Sequence, residues 1–182
     1  MKRLLMRKWL IAILALVFIG SAAPAAFTQT THATGTPVAQ HISNINSGKI
    51  LGVSGWDKQA DGASIIQWSY TWGSEASDQM WYLESLGNDY YHIRNVNSGD
   101  LLDVSGASTS NGANVIQWPD NGGLNQEWKV VPTGIDRGHS SYIINRGSGK
   151  YLDMSGWSTS DGGQAIQWDY TGGANQRWII AH

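Results

Sequence analysis

Ser98-Gly99-Asp100-Leu101-Leu102-Asp103-Val104-Ser105-Gly106 begins a stretch that runs on through Asn111-Gly112 and Ile116-Gln117-Trp118 to Asn125-Gln126-Glu127-Trp128. The same motifs recur in the same order on either side of it. LDVSGA (Leu102–Ala107) matches LGVSGW (Leu51–Trp56) and LDMSGW (Leu152–Trp157). Ile-Gln-Trp recurs at 66–68, 116–118 and 166–168, and each copy closes on Gln-x-Trp, at 79–81, 126–128 and 176–178. The copies open on Ser-Gly turns at Ser47-Gly48, Ser98-Gly99 and Ser148-Gly149. The Ile-Gln-Trp tryptophans stand at 68, 118 and 168, a period of 50 that takes precedence over any local propensity. The repeats run about 40–87, 88–137 and 138–182.

Within a copy, Leu102 and Val104 can face one way and Asp103 the other, which is the period of a strand. Asp61-Gly62, Asn111-Gly112 and Asp161-Gly162 fall where a tight hairpin turn belongs. A second strand, a Gly-rich loop and the closing Gln-x-Trp follow. No amphipathic helix is legible in the repeats, so they are expected to be all-β. Propellers have repeats of similar length but need about four to eight blades to close. Three copies of four strands fit a pseudo-symmetric closed barrel instead, which leaves no strand edge exposed.

Composition agrees. Of 182 residues, 22 are Gly and 10 Trp, and only 14% are charged. So aromatic a chain is not intrinsically disordered. The absence of Cys excludes disulfides, thiolate metal sites and Cys nucleophiles. The first eight residues hold four basic side chains, Trp9 to Gly20 is apolar, and Ala23-Pro24-Ala25 follows. This is the pattern of a secretory signal over residues 1–25. Residues 26–39 read as a flexible Thr-rich leader. Of 12 Lys and Arg, the 8 that remain after cleavage face 14 Asp and Glu, a formal charge of about −6. Such a surface disfavours nucleic acid and anionic membranes. The expected product is extracellular and monomeric, with no membrane insertion once the signal is removed.

The three Gln-x-Trp closures, the Leu-Asp-Val strands and the Asn-Gln pairs over residues 40–182 resemble the ricin-B-type lectin family. The resemblance implies a β-trefoil with up to three sugar sites, one per repeat. It implies that Asp103 and Asp153 accept sugar hydroxyls, with turn capping as the competing role. Trp118 and Trp168 would stack on the apolar face of a sugar ring, with core packing as the alternative. The family strand often reads Gln-x-aromatic, and this chain has Ile-Gln-Trp. An ungapped count from Asn-Gly-Gly puts the Trp at the platform, whereas a one-residue slip would favour Gln117 and Gln167. Asn125 and Asn175 would exchange hydrogen bonds with hydroxyls, and Asn121 is a further candidate. Gln126 and Gln176 join the candidate set, with bracing of the Asp as their favoured role. Gly52 replaces the Asp in the first repeat, so that site is expected to be weak or dead, leaving two.

Catalysis has little support. No repeated motif holds a pair of carboxylates, and the five His show neither metal nor triad spacing. No metal or other cofactor is expected. The expected function is reversible saccharide binding, with galactose-, xylan- or mannose-type ligands. The alternatives are an accessory module for a glycoside hydrolase and a protein-binding trefoil inhibitor.

Overall fold

The computed structural model describes residues 37–135 and 139–181. The signal segment 1–25 lies outside the described residues, as does the leader up to residue 36. Residues 37–39 form no strand.

Six strands form a barrel: β1 (His41–Asn44), β4 (Trp81–Gly87), β5 (Tyr90–Asn95), β8 (Glu127–Pro132), β9 (Ser141–Asn145) and β12 (Trp178–Ala181). Pairing runs antiparallel from β1 through β12, β9, β8 and β5 to β4. The ring closes where Gln40 and Trp81 exchange two backbone hydrogen bonds of 2.9 Å. Three hairpins cap one end: β2 (Ile50–Val53) with β3 (Ile65–Trp68), β6 (Leu101–Val104) with β7 (Val115–Trp118), and β10 (Tyr151–Met154) with β11 (Gly163–Trp168). Each hairpin touches the next, at Gly163 against Gln67, Ser64 against Ile116 and Asn114 against Ile166. This is a β-trefoil of three four-stranded repeats, and the all-β expectation holds.

Threefold equivalent residues fill the core. Ile42, Ile93 and Ile143 come from the barrel, and Leu51, Leu102 and Leu152 from the hairpins. The third layer trades volume within each cross-strand pair: Val53 faces Ile65, Val104 faces Val115, and Met154 faces Ala165. In the first and third repeats a larger residue on one strand meets a smaller one opposite, and in the second two valines share the space, as dense packing requires. The closing tryptophans, Trp81, Trp128 and Trp178, are fully buried. Their indole Nε1 groups donate to the carbonyls of Leu51, Leu102 and Leu152 at 2.9, 2.8 and 3.0 Å. A buried indole N–H needs such a partner. That bond ties each repeat's end to its own first hairpin strand.

Candidate functional site

Side-chain alternation puts the site on the outer face of each hairpin. Val115 and Gln117 point inward, so Ile116 and Trp118 point outward. Asp103 lies opposite Ile116, on that same outer face, one diagonal step from Trp118. The third repeat matches: Asp153 lies opposite Ile166, beside Trp168. Trp118 is 41% exposed and Trp168 39%, whereas Gln117 and Gln167 are fully buried. The strands therefore present Trp, not Gln, at the surface, and the slipped register does not occur.

The buried Gln has a structural task. Gln117 Nε2 donates to the carbonyls of Lys58 and Ala60, at 3.2 and 2.9 Å, in the hairpin loop of the preceding repeat. Its Oε1 accepts from Ser98 Oγ at 2.8 Å. Gln167 makes the same bonds to Ser108 and Ser110, and Gln67 to Ser158 and Ser160. This brings the turn glycine of one repeat against the tryptophan of the next. A Cβ on Gly62 would lie 3.4 Å from Trp118, and one on Gly112 3.4 Å from Trp168. Both glycines have positive φ, 78° and 82°. The turn thus needs glycine for its backbone, and the tryptophan lies flush against it. The turn side chain adds a second hold: Asn111 Oδ1 accepts the N–H of Asp169, just after Trp168, at 3.0 Å. Asp161 does the same for Ser69 at 2.7 Å. Pro119 has no N–H, so the second repeat lacks this bond.

The Gly-rich loop brings the amides. Asn125 Nδ2 donates to Asp103 Oδ2 at 2.9 Å and to the Val104 carbonyl at 3.2 Å. Gly123 has ordinary φ, yet a Cβ there would collide with the oxygens of Asn125 and Asn121. Close approach of the Asn amides is what demands glycine there. Asn121 is exposed at the cavity edge, with its Oδ1 accepting the N–H of Gly123 at 2.8 Å. In the third repeat Asn175 Nδ2 reaches the Met154 carbonyl, and Thr171 takes the place of Asn121.

Two candidates are corrected. Gln126 and Gln176 are fully buried behind the cavity and touch no ligand space. Gln126 Oε1 accepts the N–H of Asn121, and its Nε2 donates to the Pro119 carbonyl. Gln176 Nε2 donates to Asp153 Oδ2 at 2.9 Å. They brace the loop and the carboxylate.

Three residues that the motif reading passed over also position the site. Asn44, Asn95 and Asn145 are buried in the opening turns. Asn145 Nδ2 donates to the Asn125 carbonyl at 2.9 Å, Asn95 to that of Asp78 at 2.9 Å, and Asn44 to that of Asn175 at 3.0 Å. Each thus anchors another repeat's amide loop. Their signal was present: an Asn stands three residues before the Ser of every opening Ser-Gly.

The resulting cavities enclose about 410 Å³ in the second repeat and 390 Å³ in the third, within the range of small-ligand sites. Asp103 and Asp153 form the floor, 2% and 4% exposed. Burial pushes both carboxyls up to about 6, against the opposing hydrogen bonds from the Gln and Asn amides. The third cavity has an added wall, Trp157, which packs on Gly173 where the second repeat has Ala107. Among the described residues no group of three His, Cys, Asp or Glu is arranged to hold a metal ion.

A family model described as ricin-type β-trefoil lectin domain-like matches residues 77–141 and 135–182. ThreeFoil, a designed threefold symmetric protein, is 42% identical, with a TM-score of 0.74 over 79% of this chain and 98% of that one. An exo-β-1,3-galactanase from Clostridium thermocellum is 39% identical, with a TM-score of 0.71; the match covers 81% of this chain and 30% of the enzyme. The C-half of the earthworm R-type lectin, solved with GalNAc, is 25% identical, with a TM-score of 0.64 over 80% and 98% of the two chains. No curated protein matches.

Proposed function

The chain belongs to the ricin-type β-trefoil lectin-like family, and from that premise we propose that it is a secreted, monomeric protein that binds galactose-type saccharides reversibly. The observation that carries this reading is one arrangement built twice. In each cavity a buried carboxylate, an Asn amide and an outward indole surround the same space. A carboxylate accepts two neighbouring hydroxyls, the amide adds a donor and an acceptor, and the indole covers a C–H face. The axial 4-hydroxyl of a galactose ring leaves its opposite face an unbroken C–H surface, which suits a flat indole. The GalNAc-bound earthworm lectin and the galactanase support the same sugar configuration.

A binding role fits these cavities better than hydrolysis, because each is lined by a single carboxylate and glycoside hydrolysis uses two. The amino-terminal pattern of residues 1–25 supports export. The match to under a third of the galactanase supports a second reading, an accessory module that holds a polysaccharide for a hydrolase. A glycan array probed with the chain from Ala26 onward tests the proposal, followed by calorimetric titration with methyl β-galactoside. Selective retention of terminal galactosides is expected. Failure to bind any glycan would overturn it.

A further inference from the structure

The first repeat departs from the other two at three places, and all three meet in one cavity. Gly52 lies opposite Ile66, where the other repeats set Asp103 and Asp153 opposite their Ile. The loop from Ser54 to Gly62 is one residue longer than that from Ser105 to Gly112. The loop from Trp68 to Gln79 is three residues longer than that from Trp118 to Gln126. The first of these loops carries Lys58 and the second Asp78, and their side chains meet, with Nζ 2.9 Å from Oδ2.

Asp78 stands in the sequence place of Asn125 and Asn175, directly before the bracing Gln. Its carboxylate is buried. A Cβ built on Gly52 would lie 3.6 Å from Asp78 Oδ2 and 3.1 Å from Gln79 Cγ. A carboxylate oxygen therefore lies beside the space that an aspartate at position 52 would fill. The acid has crossed from the strand to the loop. The bracing set is intact around it: Gln79 Oε1 accepts the N–H of Thr71 at 2.9 Å, and its Nε2 donates to the Ser69 carbonyl at 3.0 Å. Trp68 is 47% exposed and lines the same cavity as Lys58 and Asp78.

Simple decay of a site would remove the aspartate and leave nothing in exchange. Here a new carboxylate arrives together with a cation that neutralises it. Stability does not explain the pair, because the Lys58 side chain is 42% exposed and an ion pair open to water on one side contributes little to the fold. Lys58 spends one N–H on Asp78 and keeps two for a ligand. We infer that the first repeat is a third saccharide site, in which Asp78 accepts a hydroxyl, Lys58 donates to a neighbouring oxygen and Trp68 stacks on the ring. This rests on the carbohydrate-binding function proposed above. The cavity encloses about 170 Å³, less than half of either other cavity, so it takes a single neutral sugar unit. The reason for expecting the first repeat to be dead, its lost strand carboxylate, no longer holds.

Calorimetric titration with methyl β-galactoside counts the sites. The unmodified chain should bind three equivalents, and Asp103→Asn/Asp153→Asn should keep one. Adding Asp78→Asn, which preserves side-chain shape, should remove that last site without lowering the melting temperature. Lys58→Met in the double variant should weaken it about tenfold or more, as for loss of a charged hydrogen bond. Gly52→Asp separates the two accounts. If the site lacked only its strand carboxylate, this change would create binding. With Asp78 already beside that space, it should instead abolish binding in the double variant. Two equivalents in the unmodified chain with none in the double variant would overturn the third site and leave the function of the other two standing. No binding in any variant would overturn both.

Discussion

Replacing Asp103 and Asp153 by Asn should make the protein more stable while removing its two main sites. Each carboxyl is raised from 3.8 to about 6, chiefly by burial. Two pKa units correspond to about 3 kcal/mol, the ceiling on what each ionised carboxylate costs the fold at neutral pH. An Asn keeps one acceptor but turns a donor toward the neighbouring amides, a loss of about 1 kcal/mol. A net gain of about 1–2 kcal/mol per site remains, or about 3–6 °C in melting temperature for a domain of this size. The pH dependence fixes the cause. Between about pH 4 and 6 the folded chain binds more protons than the unfolded chain, so stability falls as pH rises through that window. The advantage of the Asn variants should therefore be full at pH 7.5 and gone at pH 4. Sugar affinity of the unmodified chain should move the opposite way, weakening as pH drops below about 6 and the acceptors become protonated. Calorimetric melting at both pH values, with binding titrations alongside, checks each part. Variants that are less stable at pH 7.5, or that differ from the unmodified chain equally at both pH values, would refute the reasoning.

Trp118→Ala and Trp168→Ala should each weaken one site by about 1–3 kcal/mol, a scale taken from stacking of planar bases on aromatics. Their melting temperatures should change little, and titration calorimetry reads both effects. Trp128→Ala should cost about 3–5 kcal/mol in denaturant unfolding, because its indole is fully buried and hydrogen-bonded. Gly112→Ala should disturb the site of the third repeat and spare that of its own, since its Cβ would press on Trp168; site-resolved titration distinguishes the two. The exported product should begin near Ala26, which intact-mass measurement on secreted protein checks.

The order of the repeats and the strand alternation were legible because they follow from period and pattern. Four motifs recurring about every 50 residues admit few closed all-β architectures, and two-residue alternation sets Asp103 on the face opposite Leu102 and Val104. The platform Trp was legible only through an alignment choice, because Ile-Gln-Trp offers two adjacent side chains that can each bond or stack. The structure separates them through Gln117, whose amide is used up by Lys58, Ala60 and Ser98. What the sequence could not reveal was partnership between segments remote from one another along the chain. Asp78 reads locally as a conservative substitute for Asn125, and its contact with Lys58 depends on two loop insertions whose paths no local pattern specifies. Gln126 fails as a ligand for a related reason: adjacency to Asn125 says nothing of which side chain faces the cavity.

The same distant partnerships explain why the sites and the fold stand or fall together. The second site takes its Trp118 support from Gly62 in the first repeat and its loop anchor from Asn145 in the third. The third site leans on Gly112 from the second repeat and Asn44 from the first. Every cavity is thus finished by both of the other repeats, always in the same cyclic direction. A lone repeat has the right Asp, Trp and Asn but lacks the groups that orient them. Closing the barrel supplies them through bonds within the protein itself, which lowers the ordering cost left for a ligand. The buried carboxylates, unfavourable to the fold on their own, persist inside this frame because six hairpin strands and three buried indoles hold them there.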